Sequence, residues 1–203
     1  MRAGRTPCQA DEMDRDRVSG MTIQDQARAL AEPKLAHALP QRWRHVQAVG
    51  RKAEKLSGLP GVSGDLLIAA AWLHDIGYAP DLIKTGFHPL DGARFLRNAD
   101  WNDRLVPLVA HHSCAVHEAY VRGLDHELLV EFKQERSATY DALVYCDLTT
   151  SPYGQTITYI ERMAEIQRRY GSGHEVTRAV DLARVDLAAC CQRTLSRMST
   201  CAS

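Results

Sequence analysis

A chain of 203 residues with 45% apolar side chains is long enough to bury a core of its own and fits one domain. Its 25 basic and 25 acidic side chains cancel, which argues against a nucleic-acid polymer as partner, because many phosphate contacts need a basic excess. No stretch approaches the ~20 apolar residues of a membrane helix.

The opening MRAGRTPCQADEMDRDRVSG is charged and small, without the apolar run of a secretory signal. Its low hydrophobicity predicts a disordered tail over 1–20, ahead of a folded domain over 21–203. Pro40 suits the first turn of a helix, and Trp43, Val46, Val49, Ala53 and Leu56 follow at helical spacing. Ser57-Gly58-Leu59-Pro60-Gly61 ends that helix. Asp65 to Leu73 is apolar nearly all round, so this helix belongs at the centre of a bundle. It stops near Gly77, and Pro80 blocks continuation. Another helix begins at Pro89, just after His88, and runs to Leu96. Asp103 is placed to cap the next, which carries Leu105, Leu108 and Val109 toward His111 and His112. Ala138 to Leu148 is a further apolar helix, stopped by Thr149-Thr150-Ser151-Pro152. Two more are expected, from Ile157 to Tyr170 and from about Glu175 to Met198. No run alternates β-branched residues as a strand would. The expected fold class is all-α, a single-domain helical bundle.

Cys8, Cys114, Cys146, Cys190, Cys191 and Cys201 make no Cys-x-x-Cys pair and no secreted framework. They read as reduced thiols of a cytoplasmic protein.

The strongest chemical signal is His74-Asp75 at the end of the most apolar helix. Burying an ionised carboxylate costs several kcal/mol unless something pairs with it, and a divalent cation is a natural partner. Imidazole with carboxylate suits iron, manganese, nickel, cobalt or zinc better than calcium. Further ligands are sought where polar residues abut apolar segments: His45, His88, His111, His112 and Asp147. His111 and His112 are adjacent, and neighbours on a helix point ~100° apart. His37, His117, His126 and His174 lack such a context and read as solvent-facing or capping. Glu161 to Arg169 reads as a solvated face.

His45, then His74-Asp75, then Asp147 resembles, in order and context, the HD superfamily of metal-dependent phosphohydrolases. Leu73-His74-Asp75-Ile76-Gly77 looks like that family's signature pair, and the likeness covers roughly Arg42 to Pro152. The resemblance implies an HD-type helical bundle. It implies a first metal on His45, His74, Asp75 and Asp147, and a second completed by His88, His111 and His112 with Asp75 bridging. Many two-metal relatives carry a phosphate-holding lysine after the Ile-Gly, where this chain has Tyr78. Lys84 is the nearest lysine, and Arg44 or Arg42 offers another phosphate contact. The expected activity is hydrolysis of a phosphoester of a nucleotide or related small metabolite by metal-activated water. Asp75, His74, Lys84 and Arg44 are its expected catalytic residues. Two other readings stand beside it: a di-iron oxygenase with the same ligands, and a non-catalytic nucleotide-binding regulator. Pairing of the C-terminal helices would make a homodimer.

Overall fold

The computed structural model describes residues 20–201, so the tail expected over 1–20 falls, apart from Gly20, outside the described residues. Among those described the fold is all-α. The helices are α1 (Ile23–Leu35), α2 (Pro40–Leu56), α3 (Gly64–Leu73), α4 (His88–Asn98), α5 (Leu105–His111) and α6 (Ala115–Arg122). They continue as α7 (Asp125–Glu131), α8 (Ala138–Leu148), α9 (Tyr159–Tyr170) and α10 (Glu175–Cys201). Short 3-10 turns lie at Ile76–Tyr78 and His112–Cys114. The only β pairing among the described residues is an isolated bridge between Thr150 and Thr156. No helix among them is long and apolar enough to cross a membrane.

Helix α3 sits where its composition sends it. Leu67 through Leu73 are all buried, and α1, α2, α5 and α8 pack around it. Each fully buried Leu contributes about 1.5–3 kcal/mol relative to exposure, so this helix anchors the core. Helix α2 crosses it closely: a Cβ on Gly50 would come 2.7 Å from the Trp72 ring, and Trp43 packs on Trp72 with centroids 5.6 Å apart.

Helix α1 has no counterpart in the expected elements. Thr22 caps it by accepting from the Asp25 N–H at 3.2 Å, and its buried stripe is Ala27, Ala31 and Leu35. The short α6 and α7 are likewise additions. The start of α5 corrects the expectation for Asp103: the Asn102 side chain accepts from the N–H groups of Arg104 and Leu105 at 2.9 and 3.2 Å. Helix α9 starts at Tyr159 rather than Ile157, because Thr158 and Glu161 form a reciprocal capping box. The C-terminal helix runs on to Cys201. It docks on α8 through Arg193, which forks onto buried Asp141 at 2.6 and 2.9 Å.

Candidate metal centre

Several helix ends and turns deliver polar side chains to one place. His45 lies within α2, His74 directly follows α3, and Asp75 precedes the Ile76–Tyr78 turn. His88 opens α4, His112 follows α5, and Asp147 is in the last turn of α8. The close approach of Gly77 to α4 brings Asp75 and His88 together; a Cβ on Gly77 would fall 2.0 Å from the His88 carbonyl oxygen. Asp91 fixes the loop before His88. Its buried carboxylate accepts from the backbone N–H groups of Lys84, Thr85 and Gly86 at 3.0–3.1 Å.

Two groups result. Ligand atoms of His45, His74 and Asp147 lie within 4.8 Å of one another, and so do those of Asp75, His88 and His112. Asp75 spans both. Its Oδ2 is 3.4 Å from His74 Nε2 and 3.8 Å from His45 Nε2. Its Oδ1 is 3.4 Å from His88 Nε2 and 3.9 Å from His112 Nε2. His45 Nε2 stands 3.0 Å from Asp147 Oδ1, and Ser113 Oγ donates to Asp147 Oδ2.

The ring tautomers follow from the backbone. Nδ1 of His45, His74 and His112 faces the carbonyl of Ser151 at 3.0 Å, Ala71 at 2.8 Å and Val109 at 2.6 Å. A carbonyl only accepts, so each Nδ1 carries the hydrogen. In neutral rings the Nε2 atoms are then bare lone pairs, aimed at carboxylate oxygens and at one another. His45 and His74 Nε2 are 3.4 Å apart, and those of His88 and His112 are 3.1 Å apart. A cation is what such a buried set of lone pairs accommodates, and rings held from behind by carbonyls are the usual way a metal's ligands are oriented. The donor chemistry therefore fits one or two divalent transition metals.

The charges agree. Burial opposes ionisation of Asp75, yet Arg42 and His74 hold its carboxyl well below the usual range. Burial likewise works against Asp147, and His45 outweighs it, keeping that carboxyl ionised. Burial would lower His74, but Asp75 and Asp147 raise it to about 9. Burial pushes His88 and His112 below the ordinary histidine value, leaving both neutral.

Three expected site residues are placed elsewhere. His111 ends α5 with its ring turned away, donating from Nε2 to the Phe132 carbonyl at 2.7 Å; the chain becomes extended at His112, so only the second histidine faces the cluster. Arg44 is exposed, one residue and so ~100° from His45 on the helix. Arg42, a full turn before His45, reaches the centre and donates to Asp75 Oδ2 at 2.8 Å. Lys84 is exposed and contributes only its backbone N–H, to Asp91. Tyr78 occupies the expected lysine position differently: its ring stacks on His88 at 3.9 Å and carries the Arg42 guanidinium 4.0 Å above it. Sequence reasoning missed Ser113 and the Ser151 carbonyl, which no motif advertises. Thr149 and Thr150 donate to the carbonyls of Tyr145 and Cys146 at 2.7 Å and end α8.

Residues 42–142 match the family model described as HD domain. That stretch includes every residue of the two groups except Asp147, whose membership rests on the fold. Among curated proteins the chain is similar to a Ribonuclease Y from Rhodopirellula baltica, 33% identical over 96 residues. The alignment covers 47% of this chain but 18% of that relative. No solved structure matches the chain.

Proposed function

Residues 42–142 belong to the HD domain family, and on that footing we infer that the chain is a metal-dependent phosphohydrolase acting on a small phosphate ester, a nucleotide or a related metabolite. The observation that carries this reading is the pair of three-residue groups joined by Asp75, with the Nε2 atoms of three rings tethered through Nδ1 converging on its carboxylate and on Asp147. His45, His74 and Asp147 would hold one cation and His88 and His112 a second, with one oxygen of Asp75 directed to each. A divalent cation held there supplies Lewis acidity toward a phosphoryl oxygen and lowers the pKa of water toward ~7.

The protein's own groups do the rest. The backbone carbonyls of Ser151, Ala71 and Val109 hold three rings in register. Ser113 orients Asp147 through its hydroxyl. Arg42, spread on Tyr78 and paired with Asp75, holds its planar fork at the edge of the centre, where it would bind a phosphoryl group. A cavity of about 380 Å³ lined by Leu39, Pro40, Gln41, Arg42, Pro152 and Arg169 adjoins it. That volume suits a small metabolite, and the zero net charge favours one over a polymer.

The test is reconstitution. Protein stripped by chelation and reloaded with manganese, iron, cobalt, nickel or zinc is incubated with aryl phosphate, nucleoside mono-, di- and triphosphates and a short oligoribonucleotide. Metal-dependent phosphate release from a small ester, lost in Asp75→Ala, is the expected result. Oxygen uptake by the iron-loaded protein without phosphate release would replace the reading with the oxygenase. Tight nucleotide binding without turnover under every metal would replace it with a regulator.

A further inference from the structure

A second cavity, about 390 Å³, shares no lining residue with the groove at Arg42. Its walls come from Cys114 and the start of α6, the segment leading into α8, the start of α8, and α10. Two thiols line it, Cys114 and Cys190, near enough to perturb each other's ionisation. The Tyr140 hydroxyl donates to Cys114 Sγ at 3.5 Å, and Arg193 Nη2 donates to Cys190 Sγ at 3.4 Å. Arg193 is itself fixed by its fork onto Asp141. Buried thiols are commonly small apolar filler, and Cys146 and Cys191, buried but absent from the cavity wall, fit that role. Cys114 and Cys190 differ in two ways: a hydrogen-bond donor addresses each, and one cavity opens onto both.

Cys114 also ends a strained turn. Ser113 and Cys114 are successive non-glycine residues with φ of 51° and 56°, a left-handed conformation that costs of order 1–3 kcal/mol per residue and persists only where surroundings enforce it. The same turn presents His112 to Asp75 and Ser113 to Asp147. Helix α10, which carries Cys190, packs against it.

We propose that Cys114 and Cys190 form an oxidisable pair that a peroxide closes to a disulfide, and that closure shifts the His112–Cys114 turn and weakens metal binding. One thiol attacks a peroxide oxygen, the O–O bond breaks, and a sulfenic acid and one water form. The second thiol displaces the hydroxyl, the S–S bond forms, and a second water leaves. Two electrons pass from the sulfurs to hydrogen peroxide, and a dithiol reductant reverses the change. The S–S bond draws the sulfurs to about 2.05 Å, and the strained turn, between two fixed elements, is the part that yields. The effect on the metal rests on the function proposed above; the cross-link does not.

The full chain, metal-loaded, is treated with a few equivalents of hydrogen peroxide, alkylated, digested without reduction and mapped by mass spectrometry. The expected product is a peptide pair joined through Cys114 and Cys190, reversed by dithiothreitol. Metal affinity should fall about tenfold or more in the oxidised protein, the size of effect seen when groups that orient metal ligands are lost. Cys190→Ser should keep its metal affinity through the same treatment. Full alkylation of Cys114 after peroxide, or a first disulfide through Cys191 or Cys201, overturns the pair. A Cys114–Cys190 bond with unchanged metal affinity, or equal peroxide sensitivity in Cys190→Ser, overturns the coupling. If the protein takes up no metal at all, the function fails while the mapping still decides the disulfide.

Discussion

His111 and His112 are chemically identical neighbours with opposite surroundings. His112 sends Nε2 toward Asp75 and His88, whereas His111 satisfies the Phe132 carbonyl and leaves its own Nδ1 without a partner. His112→Ala should therefore remove metal from the Asp75–His88 side. His111→Ala should retain full metal while losing about 1–3 kcal/mol of stability, the cost of a buried carbonyl left unpaired. Metal content per chain and urea unfolding separate the two; metal loss in His111→Ala would contradict the placement. Arg42 and Arg44 divide in the same way. Removing a charge-assisted contact worth about 1.5–3 kcal/mol predicts a fall in kcat/KM of roughly 10- to 100-fold for Arg42→Ala, against less than about twofold for exposed Arg44→Ala. Equal effects would return Arg44 to the site. The residue pattern before His45 contained this answer, since Arg42 lies a helical turn from His45 and Arg44 does not. What it did not contain was the break at His112, because two left-handed residues at Ser113 and Cys114 are enforced by tertiary packing rather than by glycine.

At the scale of elements, the centre depends on how closely the Ile76–Tyr78 turn lies on the start of α4. Gly77 and Gly92 face each other there: a Cβ on Gly92 would sit 3.0 Å from the Gly77 nitrogen, and one on Gly77 would overlap the His88 carbonyl. Gly77→Ala must push α4 away and carry His88 from Asp75. Overpacking of this kind costs typically about 1–3 kcal/mol, so the variant should unfold at lower urea and bind less metal. Gly58→Ala, whose Cβ would meet nothing within 4 Å, is the matched control. Unchanged metal binding in Gly77→Ala would show that the crossing does not position the site. Helices with strong local signals, such as α2 with its first-turn proline and α8 between Ser137 and the polar 149–151 turn, were legible from sequence. Helices α6 and α7, of eight and seven residues, were not, because so few turns leave little periodicity to read and their stability comes from packing.

At the scale of the whole molecule, cations in the two groups would together tie α2, α3, α4, α5 and α8. The family resemblance already implied this convergence and its division into two groups with Asp75 between them; the exclusion of His111 comes only from the three-dimensional arrangement. Ligand binding to the folded state alone stabilises by about 2.7 kcal/mol at a hundred times Kd, roughly 5–10 °C in Tm for a chain of this size. The pH dependence has a definite sign. Without metal, His74 is raised from 6.5 to about 9 by Asp75 and Asp147 against the burial that opposes its charge. Its protonation therefore stabilises the metal-free fold fully below pH ~6.5, and that contribution is lost as pH rises through about 9. A metal must displace this proton, so its affinity climbs with pH over the same window. The increase in Tm on adding metal is accordingly expected to be larger at pH 8 than at pH 6, with calorimetry in buffers of different ionisation enthalpy detecting release of the proton. A shift that is equal at the two pH values, or greater at pH 6, would mean that His74 is not a ligand and that the cation binds outside the first group.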